Sequence, residues 1–291
     1  MYLSIRDDIV FVAGYQTIAE GCADLGIPAV ELGVQKDDTV PAIAPKDGKD
    51  RLNVSDPAGI AELKRQSEAT GIRIAALLMA NNFNIETRQE EIDWAVRVVE
   101  ACSQLGVQAL RIDAIMHGER DLPLPERQRI TATAIREVLD RTEGSGVDLG
   151  IENHGFQGND PEFLSGLLEL VGSPRLGLTL DSGNFYWRGW PLSRVYEIFR
   201  EFAPHVKHTH IKNIKYPEAM RDTEREIGYE YDRYVSPIHE GDIDHKLYIR
   251  LLKEAGYERD ICLEDESFGK YTIEERRENL RQAANFFRAV I

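Results

Sequence analysis

Four polar residues follow four successive apolar segments in the second half of the chain. They are Glu152, Asp181, His210 and Glu264, and each comes after a short run of largely apolar residues. Three carboxylates and one imidazole suit a hard or borderline divalent cation, Mn²⁺ first and then Mg²⁺, Co²⁺ or Zn²⁺. Without a cation the carboxylates would repel one another and their pKa values would rise. The set therefore predicts a site for one divalent metal ion.

Each of these residues has a simpler explanation when it is taken alone. A carboxylate at a strand end often caps the next helix, and Asp181 precedes Ser182 and Gly183, which are typical turn residues. A single histidine beside an apolar run is usually a hydrogen-bonded core residue. The joint occurrence at the ends of four neighbouring strands favours one common site over four coincidences.

The elements that must position these residues are short apolar runs alternating with helical patterns. The runs are near-continuous, which is typical of strands buried on both faces of a parallel sheet. We predict strands at Ile9–Ala13, Ala29–Leu32, Ile72–Met79, Ala109–Ile115, Leu149–Asn153, Leu176–Asp181, Val206–Ile211 and Ile261–Glu264. The spacing of apolar residues predicts helices at Pro57–Thr70, Glu90–Leu105, Pro125–Glu143, Pro161–Val171, Leu192–Phe202, His245–Ala255 and Ile273–Val290.

This alternation predicts an α/β fold, a single-domain (β/α)8 TIM barrel that spans residues 1–291. No Gly-x-Gly-x-x-Gly motif follows the first predicted strand, which argues against a dinucleotide-binding fold. Chemistry in a barrel takes place at the C-terminal ends of the strands, where the four metal-ligand candidates lie. The long connections Gly33–Asp56 and Asn213–Gly241 follow strands two and seven, so we expect them near the site.

Charge and cysteine content restrict the partners and the compartment. The 291 residues carry a net charge of −15, which repels nucleic acids and anionic membranes and leaves a small molecule as the expected ligand. The cysteines Cys22, Cys102 and Cys262 are sparse and widely spaced, which fits a reducing compartment. Since the sequence shows no signal peptide and no membrane-spanning run, we expect a cytoplasmic protein.

Four segments resemble a known family. I-E-N-H at 151–154, L-D-S-G-N-F at 180–185, H-T-H-I-K-N at 208–213 and L-E-D-E at 263–266 are similar to the xylose isomerase-like barrels, known as sugar phosphate isomerases/epimerases. The similarity spans nearly the whole chain and is most specific in residues 151–267. It implies a TIM barrel and metal ligands at Glu152, Asp181, His210 and Glu264, with His210 preferred over His208.

The resemblance also implies a reaction. Family members that isomerise or epimerise sugars use two metal-bound glutamates, here Glu152 and Glu264, to move a proton beside a carbonyl through an enediolate. Asn184 and Tyr216 replace a His and an Arg of the ketose 3-epimerases, and Lys212 resembles dehydratase-like branches. We therefore expect a metal-dependent isomerase or epimerase of a small sugar, with a dehydratase of a keto-polyol or ketosugar as the alternative.

The sequence also suggests substrate-binding residues and allows other functions. Residues expected to bind substrate are Glu31, Asn82, Arg111, His154, Asn184, His208 and Lys212. A nuclease like endonuclease IV is a distant alternative, because Asp232-Arg233-Tyr234 lacks the His of that pattern. A non-catalytic sugar-binding barrel is disfavoured, since all four ligand positions are filled. Barrels of this family often pair through helices or long loops, so a homo-oligomer is compatible with the sequence.

Overall fold

Eight parallel strands line the centre of the fold. The computed structural model describes residues 1–45 and 50–291. Its barrel strands are β1 (Tyr2–Arg6), β2 (Ala29–Val34), β3 (Arg73–Met79), β4 (Ala109–Ile112), β5 (Asp148–Glu152), β6 (Leu176–Asp181), β7 (Val206–His210) and β8 (Asp260–Leu263). All neighbouring pairs are parallel, in the order β8-β1-β2-β3-β4-β5-β6-β7.

Helices connect the strands and cover the outside of the barrel. In the described residues they are α1 (Asp7–Val12), α2 (Ile18–Leu25), α3 (Pro57–Thr70), α4 (Arg88–Leu105), α5 (Leu124–Arg141), α6 (Pro161–Val171), α7 (Asn184–Arg188), α8 (Leu192–Phe202), α9 (Tyr231–Tyr234), α10 (His245–Glu254) and α11 (Ile273–Arg288). No helix of this part of the chain is long and apolar enough to cross a membrane.

The barrel closes between β7 and β8 through one isolated parallel bridge. Ile211 pairs with Leu263, with hydrogen bonds from the Ile211 N–H to Cys262 (2.8 Å) and from the Glu264 N–H to Ile211 (3.0 Å). The Thr209 hydroxyl adds a side-chain bond to the Asp260 carbonyl (3.0 Å) across the same seam. The structure therefore confirms the predicted (β/α)8 barrel.

The sequence prediction was wrong for the first strand. Ile9–Ala13 is mostly helical, as α1, while the strand lies earlier, at Tyr2–Arg6. Two acidic residues favour the N-terminus of α1, and its apolar run is only half buried, with Phe11 and Val12 exposed. The true strand was missed because a polar residue, Ser4, interrupts its pattern; its buried hydroxyl donates to Asp260 inside the barrel.

Both long connections contain short structure of their own. After β2, Thr39–Pro41 pairs with Arg51–Asn53, and residues 46–49 of this predicted loop lie outside the described residues. After β7, Asn213–Ile214 pairs with Val235–Ser236, and α9 lies between them. The second connection reaches the carboxyl ends of the barrel strands, where the polar cluster is located.

Candidate metal centre

The four predicted metal ligands lie together at the carboxyl ends of the strands. Glu152, Asp181 and His210 are the last residues of β5, β6 and β7, and Glu264 follows β8 directly. All four are buried, and one ligand atom from each lies within 4.8 Å of the others. Asp181 and His210 are also register partners across the sheet, so the backbone fixes their spacing.

Three atoms of this cluster are buried and lack a hydrogen-bond partner. They are Asp181 Oδ2, His210 Nδ1 and Glu264 Oε2. His210 Nδ1 lies 3.3 Å from Glu152 Oε1 and 3.3 Å from Glu264 Oε2, so these atoms share one small space. Unpartnered buried polar atoms are costly, and a divalent cation bound by carboxylates and an imidazole would satisfy them. The donor set therefore fits a metal ion.

A buried carboxylate sets the orientation of the His210 ring. His210 Nε2 lies 2.8 Å from Glu31 Oε2, so donation to this carboxylate leaves the Nδ1 lone pair facing the cluster. The other oxygen of Glu31 is 2.9 Å from His208 Nε2, and His208 Nδ1 is 2.9 Å from Asp260. This chain of side chains runs through the barrel interior and fixes the His210 tautomer.

The linked side chains His208 and Glu31 are both charged. Burial would lower the pKa of His208, but Asp260 and Glu31 outweigh it and hold the pKa well above its usual range. Burial likewise would raise the pKa of Glu31, and the two histidines keep that pKa well below its ordinary value. His208 is thus an imidazolium between two carboxylates, and Glu31 is a fixed negative charge behind His210.

Each glutamate of the cluster has an arginine on its outer oxygen. Arg111 contacts Glu152 Oε2, and Arg6 contacts Glu264 Oε1. Burial would raise the pKa of Glu152, but Arg111 and then His210 hold that pKa well below its usual range. The inner oxygens, Glu152 Oε1 and Glu264 Oε2, remain directed toward His210 Nδ1.

Asp181 serves both the turn and the cluster. Its Oδ1 accepts hydrogen bonds from the Gly183 and Asn184 N–H groups at 2.7 Å each, which is the turn role considered from the sequence. Its Oδ2 accepts no hydrogen bond and lies 3.4 Å from Lys212 Nζ. Burial raises the pKa of Asp181 to about 6, with Lys212 opposing the rise and Glu152 adding to it.

Lys212 lies beside the cluster and is buried. Its Nζ is 3.4 Å from Asp181 Oδ2, 3.2 Å from Glu264 Oε2 and 2.8 Å from Glu266 Oε1. Tyr231, from α9 in the connection after β7, donates its hydroxyl to the other oxygen of Glu266. This connection therefore helps to hold Lys212 in place, in agreement with its predicted position near the site.

A second acid–base pair lies next to Glu152. His154 Nδ1 is 2.9 Å from Asp113 Oδ1, and Arg111 Nη1 donates to Asp113 Oδ2 at 2.6 Å. Burial lowers the pKa of His154, but Asp113 and Glu152 reverse the effect, and the net shift is upward. The His154 side chain is 42% exposed. An imidazole that is paired with a carboxylate and has a raised pKa is thus open to the functional face of the barrel.

The other predicted substrate residues have different positions. Asn184 donates to Glu152 Oε1 at 3.1 Å and belongs to the cluster. Asn82 instead joins two loops, since its Oδ1 accepts from the Met116 N–H (2.8 Å) and its amide donates to the His117 carbonyl (3.3 Å). His208 and Glu31 lie below the cluster, buried within the barrel. The structure thus separates residues that face the cluster from residues that support it.

Sequence inspection missed three residues around the cluster. Arg6, Asp260 and Glu266 contact Glu264, His208 and Lys212 respectively. Arg6 could have been found as the basic residue that ends the Tyr2–Arg6 strand pattern. The pairings of Asp260 and Glu266 depend on the closed barrel and leave no local signal.

Comparison with known proteins adds a family and a set of similar folds. Residues 19–290 match the model of the xylose isomerase-like TIM barrel family. No curated protein matches the sequence. The IolI protein with a bound zinc atom superposes with a TM-score of 0.72 at 20% identity, covering 97% of this chain and 96% of that chain.

Two further structures share the fold. A D-allulose 3-epimerase from Methylomonas sp. gives a TM-score of 0.70 at 12% identity, covering 100% of this chain and 98% of that one. The probable 3-DHS dehydratase AsbF from Bacillus anthracis gives 0.68 at 16% identity, covering 97% and 98%. At these identities the likeness establishes the architecture.

Proposed function

Because the chain belongs to the xylose isomerase-like TIM barrel family, we propose that it is a metal-dependent isomerase or epimerase of a small sugar or sugar derivative. The observation that carries this proposal is the pair of glutamates whose inner oxygens each lie 3.3 Å from His210 Nδ1. Two carboxylates that border one small space suit the removal and return of a proton at one carbon atom.

Positive side chains hold the outer oxygens of both glutamates. Arg111 and Arg6 occupy the outer oxygens of Glu152 and Glu264, so only the inner oxygens face the substrate space. The low pKa of Glu152 makes it a carboxylate at neutral pH. Lys212, at 3.2 Å from Glu264 Oε2, adds positive charge where an oxygen of the substrate would become negative.

Glu152, Asp181, His210 and Glu264 would hold the metal ion, with Mn²⁺ as the first candidate. When bound, such an ion polarises a carbonyl and stabilises the negative charge that develops on its oxygen. The zinc atom in the IolI structure supports a divalent ion on this fold. The D-allulose 3-epimerase among the similar structures supports the reaction class.

The second candidate is a metal-dependent dehydratase, and the Asp113–His154 pair favours it. Loss of a hydroxyl as water needs a general acid near that oxygen, and His154, whose side chain is 42% exposed and whose pKa is raised, fits the role. The probable dehydratase AsbF has the same fold. Both candidate reactions begin with removal of a proton. They differ in whether the proton is then returned or a neighbouring hydroxyl leaves as water.

Solvent exchange tests the shared step. We expect the Mn²⁺-loaded protein to introduce deuterium from D2O beside the carbonyl of a ketose, as measured by NMR across a panel of sugars. Glu152→Gln and Glu264→Gln should abolish exchange, whereas Glu137→Gln, on α5 where its carboxylate pairs with Arg141 at 3.3 Å, should not. Near-normal exchange in either of the first two variants contradicts the two-glutamate mechanism. Loss of water from the sugar, detected by mass spectrometry, would identify a dehydratase.

Three broader predictions accompany this proposal. We treat residues 1–291 as one domain, since a single barrel accounts for the described residues. Cytoplasmic location is supported by the three cysteines, which are buried and free. A small carbohydrate is the proposed partner, and the net charge of −15 argues against nucleic acid.

A further inference from the structure

Three arginines surround one phenylalanine on the functional face. The guanidinium carbons of Arg120, Arg127 and Arg188 lie 4.5, 5.6 and 5.8 Å from the centroid of the Phe156 ring. Distances of this size are typical of cation–π contacts, which favour a single cation on a ring face. Three like charges around one ring also repel one another, so the ring alone does not account for the arrangement.

The described arginines divide between those with a carboxylate partner and those without one, such as Arg175 and Arg225, which donate to backbone carbonyls. Arg129, Arg141 and Arg194 each have a carboxylate oxygen within 4.0 Å. Among the described residues, Arg120, Arg127 and Arg188 form no ion pair by the same distance. The cluster therefore carries positive charge that the protein itself leaves unneutralised.

Buried atoms of the cluster also lack hydrogen-bond partners. Arg127 is 8% exposed, and its Nη1 has no partner, although its Nε donates to the Leu122 carbonyl at 3.0 Å. The Nε of Arg188 is likewise buried and unpartnered. Buried N–H groups of a cation are normally satisfied, so these two point to an acceptor supplied from outside the chain.

The cluster is tied to the candidate metal centre by short segments. Phe156 follows His154 by two residues, and Arg188 ends α7, whose first residue, Asn184, donates to Glu152. A cavity of about 360 Å³ opens beside the ring, and it is lined by Ile115, Met116, His117, Gly118, Arg120, Phe156 and Gln157. The arginines thus lie on the same face of the barrel as the proton-transferring glutamates.

We propose that Arg120, Arg127 and Arg188 bind an anionic group, a phosphate or a carboxylate, that the substrate carries away from its reacting carbon. Planar guanidiniums match the oxygens of both groups and give paired hydrogen bonds. A chain with a net charge of −15 needs such a local cluster to attract an anion. The substrate would then be an anionic sugar derivative; only this last step rests on the proposed function.

Direct binding tests the cluster without any turnover. Inorganic phosphate is titrated calorimetrically into the metal-loaded protein and into the Arg120→Gln/Arg188→Gln double variant, with Arg194→Gln on α8 as a matched control. We expect the double variant to bind phosphate roughly tenfold more weakly or worse, and the control to match the wild type. Equal affinity in the double variant, with an unchanged melting temperature, overturns the proposal.

Kinetics separates this proposal from the proposed function. A ketose phosphate, a sugar acid and the parent ketose are compared as substrates, with the deuterium-exchange readout. Selective loss of kcat/KM for the phosphate or for the acid in the double variant identifies the group that is bound. If no sugar reacts but phosphate binding still depends on the arginines, the anion site stands and the proposed function fails. If the ketose phosphate and the sugar acid react equally well in the double variant and the wild type, the proposed function stands and the anion site fails.

Discussion

The hydrogen bonds of Glu31 predict that Glu31→Gln weakens metal binding, although Glu31 is not one of the four proposed ligands. The carboxylate accepts from His210 Nε2 (2.8 Å) and His208 Nε2 (2.9 Å) with its two oxygens. An amide offers one acceptor oxygen and one NH2 donor in the same shape. If the NH2 faces His210, that ring must accept at Nε2 and carry its proton on Nδ1, where the metal would bind.

The size of the effect follows from these contacts. Outer partners of metal-binding histidines are worth roughly 10- to 100-fold in metal affinity, or about 1.4 to 2.7 kcal/mol. We expect the upper part of this range, because the substitution also removes a buried negative charge behind His210. The opposite rotation of the amide, with its oxygen toward His210, would instead place the NH2 against the His208 imidazolium and cost stability.

Chelator competition measures the effect at fixed pH with Mn²⁺ and Zn²⁺. The control is Asp148→Asn, which removes a carboxylate paired with Arg259 (2.6 Å) at the start of β5, away from the cluster. Melting of both metal-free variants checks that they are folded. A folded Glu31→Gln protein that binds metal within about twofold of the wild type would refute the assignment of Nδ1 as the metal-facing nitrogen.

Two pH-dependent predictions follow from the buried titrating groups. Burial raises the pKa of Asp181 to about 6. Because metal binding requires the ionised carboxylate, metal affinity should fall at least about tenfold per pH unit below 6. A metal affinity that stays constant from pH 7 to 5 contradicts this prediction. Burial lowers the pKa of His245 from 6.5 to about 4, so the unfolded chain binds this proton first, and about 3 kcal/mol of unfolding free energy should be lost as pH falls from 6.5 to 4. In urea unfolding, His245→Phe should lose less stability over this range than the wild type, and an identical loss in both proteins excludes His245 as the source.

Much of the architecture could be predicted because its signals are local. Pro57–Thr70 and Pro161–Val171 have the predicted bounds, since Asp56 and Asp160 cap their first turns. Both helices end where Gly71 and Gly172 adopt the left-handed conformation, at φ of +70° and +64°. The four ligand candidates could be predicted for the same reason, because each follows an apolar run whose end lies at one rim of the barrel.

The support of the site could not be predicted, because it is made by residues far apart in sequence. Arg6 and Glu264 are separated by 258 positions, and Glu31 and His208 by 177. No local pattern pairs such residues, and only the closed barrel brings them into contact. The misassigned first strand compounded the problem, since it displaced Arg6 from a strand end, where its chemistry would have been considered.

The seam between β7 and β8 links the assembly of the site to the closure of the barrel. Its bridge joins Ile211 to Leu263, the residues next to His210 and Glu264. Breaking the hydrogen bonds of Ile211 with Cys262 and Glu264 would separate β7 from β8 and pull the two ligand candidates apart. A bound ion, held by His210 and Glu264, would therefore help to keep β7 and β8 together and the barrel closed. Slower amide hydrogen exchange at Ile211 and Glu264 on metal addition would show that metal binding and closure of this seam are coupled.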